Sequence, residues 1–193
     1  MDTIHTSWIV LGTILVVALL VAAAWLMSQR KKQRSQKLQQ RFGPEYSRTV
    51  DALGGRGKGE SELEAREKRV DHLTIKPLTP SEAARFSQAW SALQGRFVDN
   101  PKGVVAQADQ LVRELMLARG YPVGDFEHRS ADISVDHPGV VENYRAAQAI
   151  AVRDQRGEAN TEELRKAVVH YRVLFDELLE IREAKPQGSS KAA

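Results

Sequence analysis

Residues 79–97 read TPSEAARFSQAWSALQGRF, and this stretch decides the fold class. Thr79 and Glu82 stand three apart around Pro80 and Ser81, the pattern of a capping box with proline in the first helical turn. Phe86, Trp90, Leu93 and Phe97 then recur at i, i+4, i+7 and i+11, one stripe of a 3.6-residue helix. A half-buried strand needs strict alternation, and no alternating run long enough for one occurs in the chain.

Toward the C-terminus the same device repeats. Asn100 is placed to cap a helix with Pro101 at its first position, and Val104, Val105, Ala108, Leu111, Val112 and Leu115 form its inner face. Gly120 stops that helix and Pro122 keeps it stopped. Asp125 is expected to cap a short helix holding Phe126 and Ile133. Asp136 is expected to cap the next, with Pro138 at a position whose amide has no helical partner. Val140, Val141, Tyr144, Ala147 and Ala151 would face inward, and Gly157 would end the helix. Asn160-Thr-Glu-Glu163 caps a last helix with Leu164, Val168, Tyr171, Phe175 and Leu178 inward. The segment PQGSSKAA, residues 186–193, is expected to be disordered.

Toward the N-terminus, residues 60–73 read ESELEAREKRVDHL, a charged helix with only Leu63, Val70 and Leu73 as an apolar seam. Glu62 with Arg66 and Glu64 with Lys68 are spaced for i,i+4 pairing. So thin a seam predicts weak packing or pairing with a partner helix. GGRGKG, residues 54–59, is read as a flexible linker. A phosphate loop needs four residues before its Gly-Lys and a strand ahead of it, and neither is present. After Gly43-Pro44, a first short helix would carry Tyr46, Val50 and Leu53 on one face.

Residues 8–27, WIVLGTILVVALLVAAAWLM, contain no charge. Twenty helical residues rise about 30 Å, the hydrocarbon thickness of a bilayer. Trp8 and Trp25 bracket the run as interfacial aromatics do. Asp2 is the only charged residue before it, whereas Arg30, Lys31, Lys32, Arg34, Lys37 and Arg41 follow. Positive residues stay on the cytoplasmic side, so residues 1–7 are expected outside and the C-terminal domain in the cytoplasm. A cleaved signal peptide is disfavoured, because its basic leading region is missing.

The chain holds 28 basic and 25 acidic residues, a net +3. Asp2 and the six bases of residues 28–41 contribute +5 between them, which leaves −2 for residues 42–193. The basic character therefore belongs to the flank, which can meet anionic lipid, and no nucleic-acid partner is expected. There is no cysteine, so disulfides, thiolate catalysis and cysteine zinc sites are excluded. The expected architecture is all-α: one transmembrane helix, the basic segment 28–41, and a cytoplasmic bundle of about six or seven helices over 42–185.

His128, Asp132, Asp136 and His137 are the candidates for chemistry, with His170 further along. Imidazole and carboxylate together can hold a metal, but no HExxH or GxSxG spacing organises them. The plainer reading makes Asp136 a cap and His128 with Asp132 a surface pair, and it leaves His137 without a structural role. No cofactor is predicted.

The segments RFGPEYSRTVDALG, REKRV, RFVDNP, ARGYP, SVDHPGVVENYRAA and HYRVLFDELLE resemble those of a bacterial group of small membrane-anchored proteins with no assigned activity. The resemblance covers residues 41–180 and implies a shared helical domain, without assigning a catalytic or binding residue. The expected role is a non-enzymatic module that binds another protein or itself. The alternative is a small-ligand or metal-binding domain, with or without enzymatic activity, centred on residues 128–144.

Overall fold

The computed structural model describes residues 2–122 and 124–179, with side chains from residue 19 onward. Among the described residues there are eight helices and no strand: α1 Asp2–Phe42, α2 Pro44–Ala52, α3 Arg56–Asp71, α4 Pro80–Gly95, α5 Pro101–Arg119, α6 Phe126–Asp136, α7 Pro138–Gln155 and α8 Thr161–Leu179. The all-α class and the seven helices after α1 match the sequence expectation. The chain divides into two units, residues 1–41 and 42–193. The segment expected to be disordered, 186–193, lies outside the described residues.

In the first unit α1 is one unbroken helix, and residues 19–34 are exposed on every face. Leu19, Leu20, Val21, Trp25, Leu26 and Met27 are each more than half exposed. Residues 8–18 of the expected membrane span, Trp8 included, lie outside the described side chains. Among the described residues, no helix is long and apolar enough to cross a membrane.

The second unit begins with a helical hairpin, α2 against α3. Pro44 stands in the first turn of α2, as expected. The linker expected over 54–59 shrinks to a tight turn at Leu53–Gly55, because α3 already starts at Arg56. Gly59 lies inside α3 for a packing reason: a Cβ there would sit 2.7 Å from Val50 Cα. Only glycine lets the two helices cross so closely, which offsets its cost of about 1 kcal/mol in a helix interior. The buried face of α2 also differs from expectation. Tyr46 is buried, but its companions are Glu45 and Thr49, whereas Val50 is half-buried and Leu53 exposed. The seam of α3 is covered within the chain, with Leu63 and Val70 buried.

Helices α4–α8 form the bundle. The capping box at Thr79 is complete: its hydroxyl accepts the Glu82 amide at 3.2 Å, and the Glu82 carboxylate accepts the Thr79 amide at 2.9 Å. Asn100 accepts the Gly103 amide at 3.0 Å, and Asn160 exchanges the same bonds with Glu163 at 2.9 Å. Gly120 ends α5 with φ 96°, a conformation that disfavours side chains, and a Cβ there would collide with the Thr74 carbonyl oxygen. The Arg119 carbonyl accepts the Lys76 amide at 2.9 Å, which ties the α3–α4 connection to the end of α5.

Helix α8 is central, packed on both α5 and α7, while α4 covers α5. Trp90 of α4 stacks on Phe175 of α8 with centroids 4.6 Å apart. Each fully buried Leu, Val or Phe contributes about 1.5–3 kcal/mol relative to exposure, so this core dominates the stability of the unit. Its members run from Leu78 to Leu178, and none comes from α2 or α3.

Asp136 is not the cap of α7. Helix α6 continues through Asp136, and His137 alone separates it from α7. Pro138 opposes helical geometry in the residue before it, so the break falls on His137, at φ −130° and ψ 54°. The Asp136 carboxylate accepts instead from the Tyr121 hydroxyl at 2.9 Å.

Candidate functional site

The four residues singled out for chemistry do not converge. His128 is exposed, and Asp125 accepts both its backbone amide and its ring Nδ1 at 2.9 Å. That amide first, and the ring second, hold the Asp125 carboxyl below its usual range. Asp132 is buried and accepts from Arg69 Nε of α3 at 2.8 Å, so it is not a surface partner of His128. Asp136 is exposed and paired with Tyr121. His137 is buried, with Nδ1 2.8 Å from Glu177 Oε1 of α8. This corrects the expectation that His137 has no structural role: it ties the α6–α7 junction to α8. His170 Nδ1 faces Asn143 Oδ1 at 2.8 Å. Among the described residues, no group of three or more His, Cys, Asp or Glu side chains could hold a metal ion.

The structure instead assembles charge at Glu45, buried at 1% exposure. Arg145 of α7 donates to it from Nε at 2.9 Å and from Nη2 at 3.2 Å, a two-pronged pairing. The third arm, Nη1, donates to Glu127 of α6 at 2.9 Å. Arg66 Nη1 of α3 and Arg48 Nε of α2 stand 3.5 and 3.7 Å from the same Glu45 carboxylate. Burial acts to lower the Arg145 pKa, but the hydrogen bonds to Glu45 and Glu127 outweigh it, so the guanidinium is held above its ordinary value.

Two buried tyrosines carry further polar contacts. Arg129 Nε donates to the Tyr144 hydroxyl at 2.9 Å, and Arg129 also reaches the Gly124 carbonyl. The Tyr171 hydroxyl lies 3.3 Å from both Asp109 Oδ1 and Gln148 Oε1. Burial raises the pKa of Tyr144, with Arg129 working against it. Burial first, and then the neighbouring Asp109, push the Tyr171 hydroxyl far above its ordinary value.

Along α7 this cluster borders an open groove of about 780 Å³. Phe126, Gln148, Ala149 and Val152 line it together with Arg48, Arg145, Arg153, Asp125 and Glu127. The Arg145 guanidinium lies 5.9 Å from the Phe126 ring centroid. Arg153 is pinned by Glu163 Oε1 at 2.6 Å. A smaller cavity of about 190 Å³ adjoins it, sharing Arg48, Glu127 and Arg145 and reaching Glu45 and Arg66. Glu45, Arg66, Glu127, Arg145 and Arg153 are each paired with an opposite charge, whereas Arg48 is more than half exposed and stands 3.7 Å from Glu45. Such an arrangement holds helices in register.

Sequence reasoning missed Glu45, Arg69 and Arg145. Glu45 and Arg145 lie 100 residues apart, so no spacing links them. The available signal was weak: each sits beside an inward aromatic, Tyr46 and Tyr144. Comparison with protein-family models, curated proteins and solved structures gives no match.

Proposed function

We propose that this chain is a membrane-anchored interaction module. The helix over residues 8–27 lies in a bacterial inner membrane with the N-terminus outside, and the domain 42–185 binds another protein on the cytoplasmic side. The observation that carries the binding role is the groove along α7, whose lining combines Phe126, Ala149 and Val152 with Arg48, Arg145 and Arg153. This surface suits an amphipathic helix that lays its apolar face against Phe126 and Val152 and offers a carboxylate to Arg48, which is more than half exposed and only 3.7 Å from Glu45. The anchor is supported by the uncharged run 8–27 and by the exposed apolar side chains of residues 19–27, which need apolar surroundings. The bases Arg30, Lys31, Lys32, Arg34, Lys37 and Arg41 would then meet anionic headgroups, at about 1 kcal/mol each.

A photo-reactive residue at Val152, activated in native membranes, tests the groove. The expected result is a discrete adduct with one partner that disappears in Ala149→Arg, since Ala149 is exposed and its replacement blocks the groove without touching the core. No adduct, or an adduct indifferent to Ala149→Arg, overturns the binding role. A C-terminal reporter active only outside the cytoplasm tests orientation, and a signal from it overturns the topology.

A further inference from the structure

The α2–α3 hairpin packs on α6 and α7 outside the apolar core of α4–α8, and buried ion pairs lie at that contact. Its own apolar residues, Tyr46, Leu63 and Val70, are buried, yet none belongs to the core formed by α4–α8. Internally it is also closed by polar bonds, with Glu60 accepting from the Tyr46 hydroxyl at 2.7 Å and from Arg56 Nε at 2.8 Å. Ion pairs bridge it to the bundle, among them Glu45 with Arg145 of α7 and Arg69 with Asp132 of α6. Both carboxylates are almost fully buried, at 1% and 2% exposure.

Buried ion pairs return little net stability, because desolvation cancels much of their attraction, whereas removing one partner strands a buried charge. A helical hairpin docked in this way should open at lower free energy than a core of packed aromatics and leucines. We propose that the α2–α3 hairpin is a releasable strap, docked on α6 and α7 by the Glu45–Arg145 and Arg69–Asp132 pairs, that opens as a unit while α4–α8 stay folded. Opening removes Glu45 from Arg145 and carries Arg48 away from the groove. Glu45 is thereby an internal competitor for any carboxylate that approaches Arg145. This last consequence rests on the groove being a binding site; the opening itself does not.

Amide hydrogen exchange on the full chain in detergent micelles, read by mass spectrometry without added ligand, tests the strap. Peptides from 44–71 should exchange at least about tenfold faster than those from α5 and α8, through a sub-global opening. Arg145→Met should accelerate 44–71 by about tenfold or more while α5 and α8 keep their protection, because the buried Glu45 carboxylate loses its one partner on the bundle and keeps only Arg66 and Arg48 of the hairpin itself, at 3.5 and 3.7 Å. Arg69→Met should do the same through Asp132, and it keeps the test decisive if Arg145→Met does not fold. Equal exchange across all helices, or loss of protection in 44–71 and α8 together, would falsify the strap. So would unchanged exchange of 44–71 in both variants. Ala149→Arg should leave this pattern unaltered, so failure of the groove and failure of the strap are told apart.

Discussion

The α4–α8 bundle and the α2–α3 hairpin are both helical, and both are capped or turned by ordinary local signals. They differ in what lies between their helices. In the bundle, Trp90, Leu115, Tyr171 and Phe175 meet in a continuous apolar core. In the hairpin, a small apolar seam is framed by Glu45, Glu60, Arg66 and Arg69. Apolar contacts are non-directional and accumulate with area, whereas ion pairs demand geometry and repay it with register more than with stability. One unit is thus built from a robust part and a precisely seated part.

Alkaline pH should separate the two most strongly. Tyr121, Tyr144 and Tyr171 all belong to the bundle core, and burial raises each above its ordinary value, with Asp136 adding to the effect at Tyr121. A raised folded pKa means that their contribution is complete below the unfolded value of about 10 and is lost as pH climbs beyond it. Tyrosinate absorbance of these three should therefore rise only with loss of helicity, in one cooperative step. Gradual titration in a folded chain would show that these tyrosines are wetter than described. Next in size, Leu174→Ala should destabilise the chain by about 3 kcal/mol, through lost transfer energy and a cavity beside α5 and α7. Denaturant unfolding should show the loss in bundle and hairpin alike, since the hairpin docks on what unfolds.

Gly59→Ala sharpens the comparison from the other side. A Cβ would press on Val50 Cα, backbone that cannot swing aside, and overpacking of this kind costs about 1–3 kcal/mol. The expected outcome is faster amide exchange over 44–71 with an unchanged global unfolding midpoint. An equal drop in both would merge the two regions into one cooperative body. At the small end, Glu62→Gln removes a half-exposed partner from Arg66, 3.1 Å away, and should change stability by about 0.5 kcal/mol or less. A larger loss would mean that Glu62 helps to hold Arg66 on Glu45.

Much of the bundle was legible because its signals are local. Thr79, Asn100 and Asn160 announce helix starts within four residues, and the stripes of α4, α5 and α8 repeat at one period. The failures share a cause. Asp136 has the residue type and position of a cap, yet α6 runs directly into the break that Pro138 imposes, and its carboxylate serves Tyr121 from 15 residues away. The glycines of 54–59 look like a linker until Gly59 is seen against Val50. His137 looked idle because Glu177 is 40 residues distant. Of the candidate site, the sequence supplied residues of the right chemistry, but the cluster that formed was built around Glu45.

By itself, the sequence determined the helical class, the places where α4, α5 and α8 start, and the segregation of its basic charge beside an uncharged run. Those follow from periodicity, capping and composition, which act within a few residues. The tertiary structure alone decided that Glu45, Arg66 and Arg145 meet, that Asp132 answers Arg69, and that a groove opens along α7 beside them. A charge carries no mark of its partner along the chain; only the folding of distant helices onto one another lowers the surroundings' polarity enough to make that partner necessary.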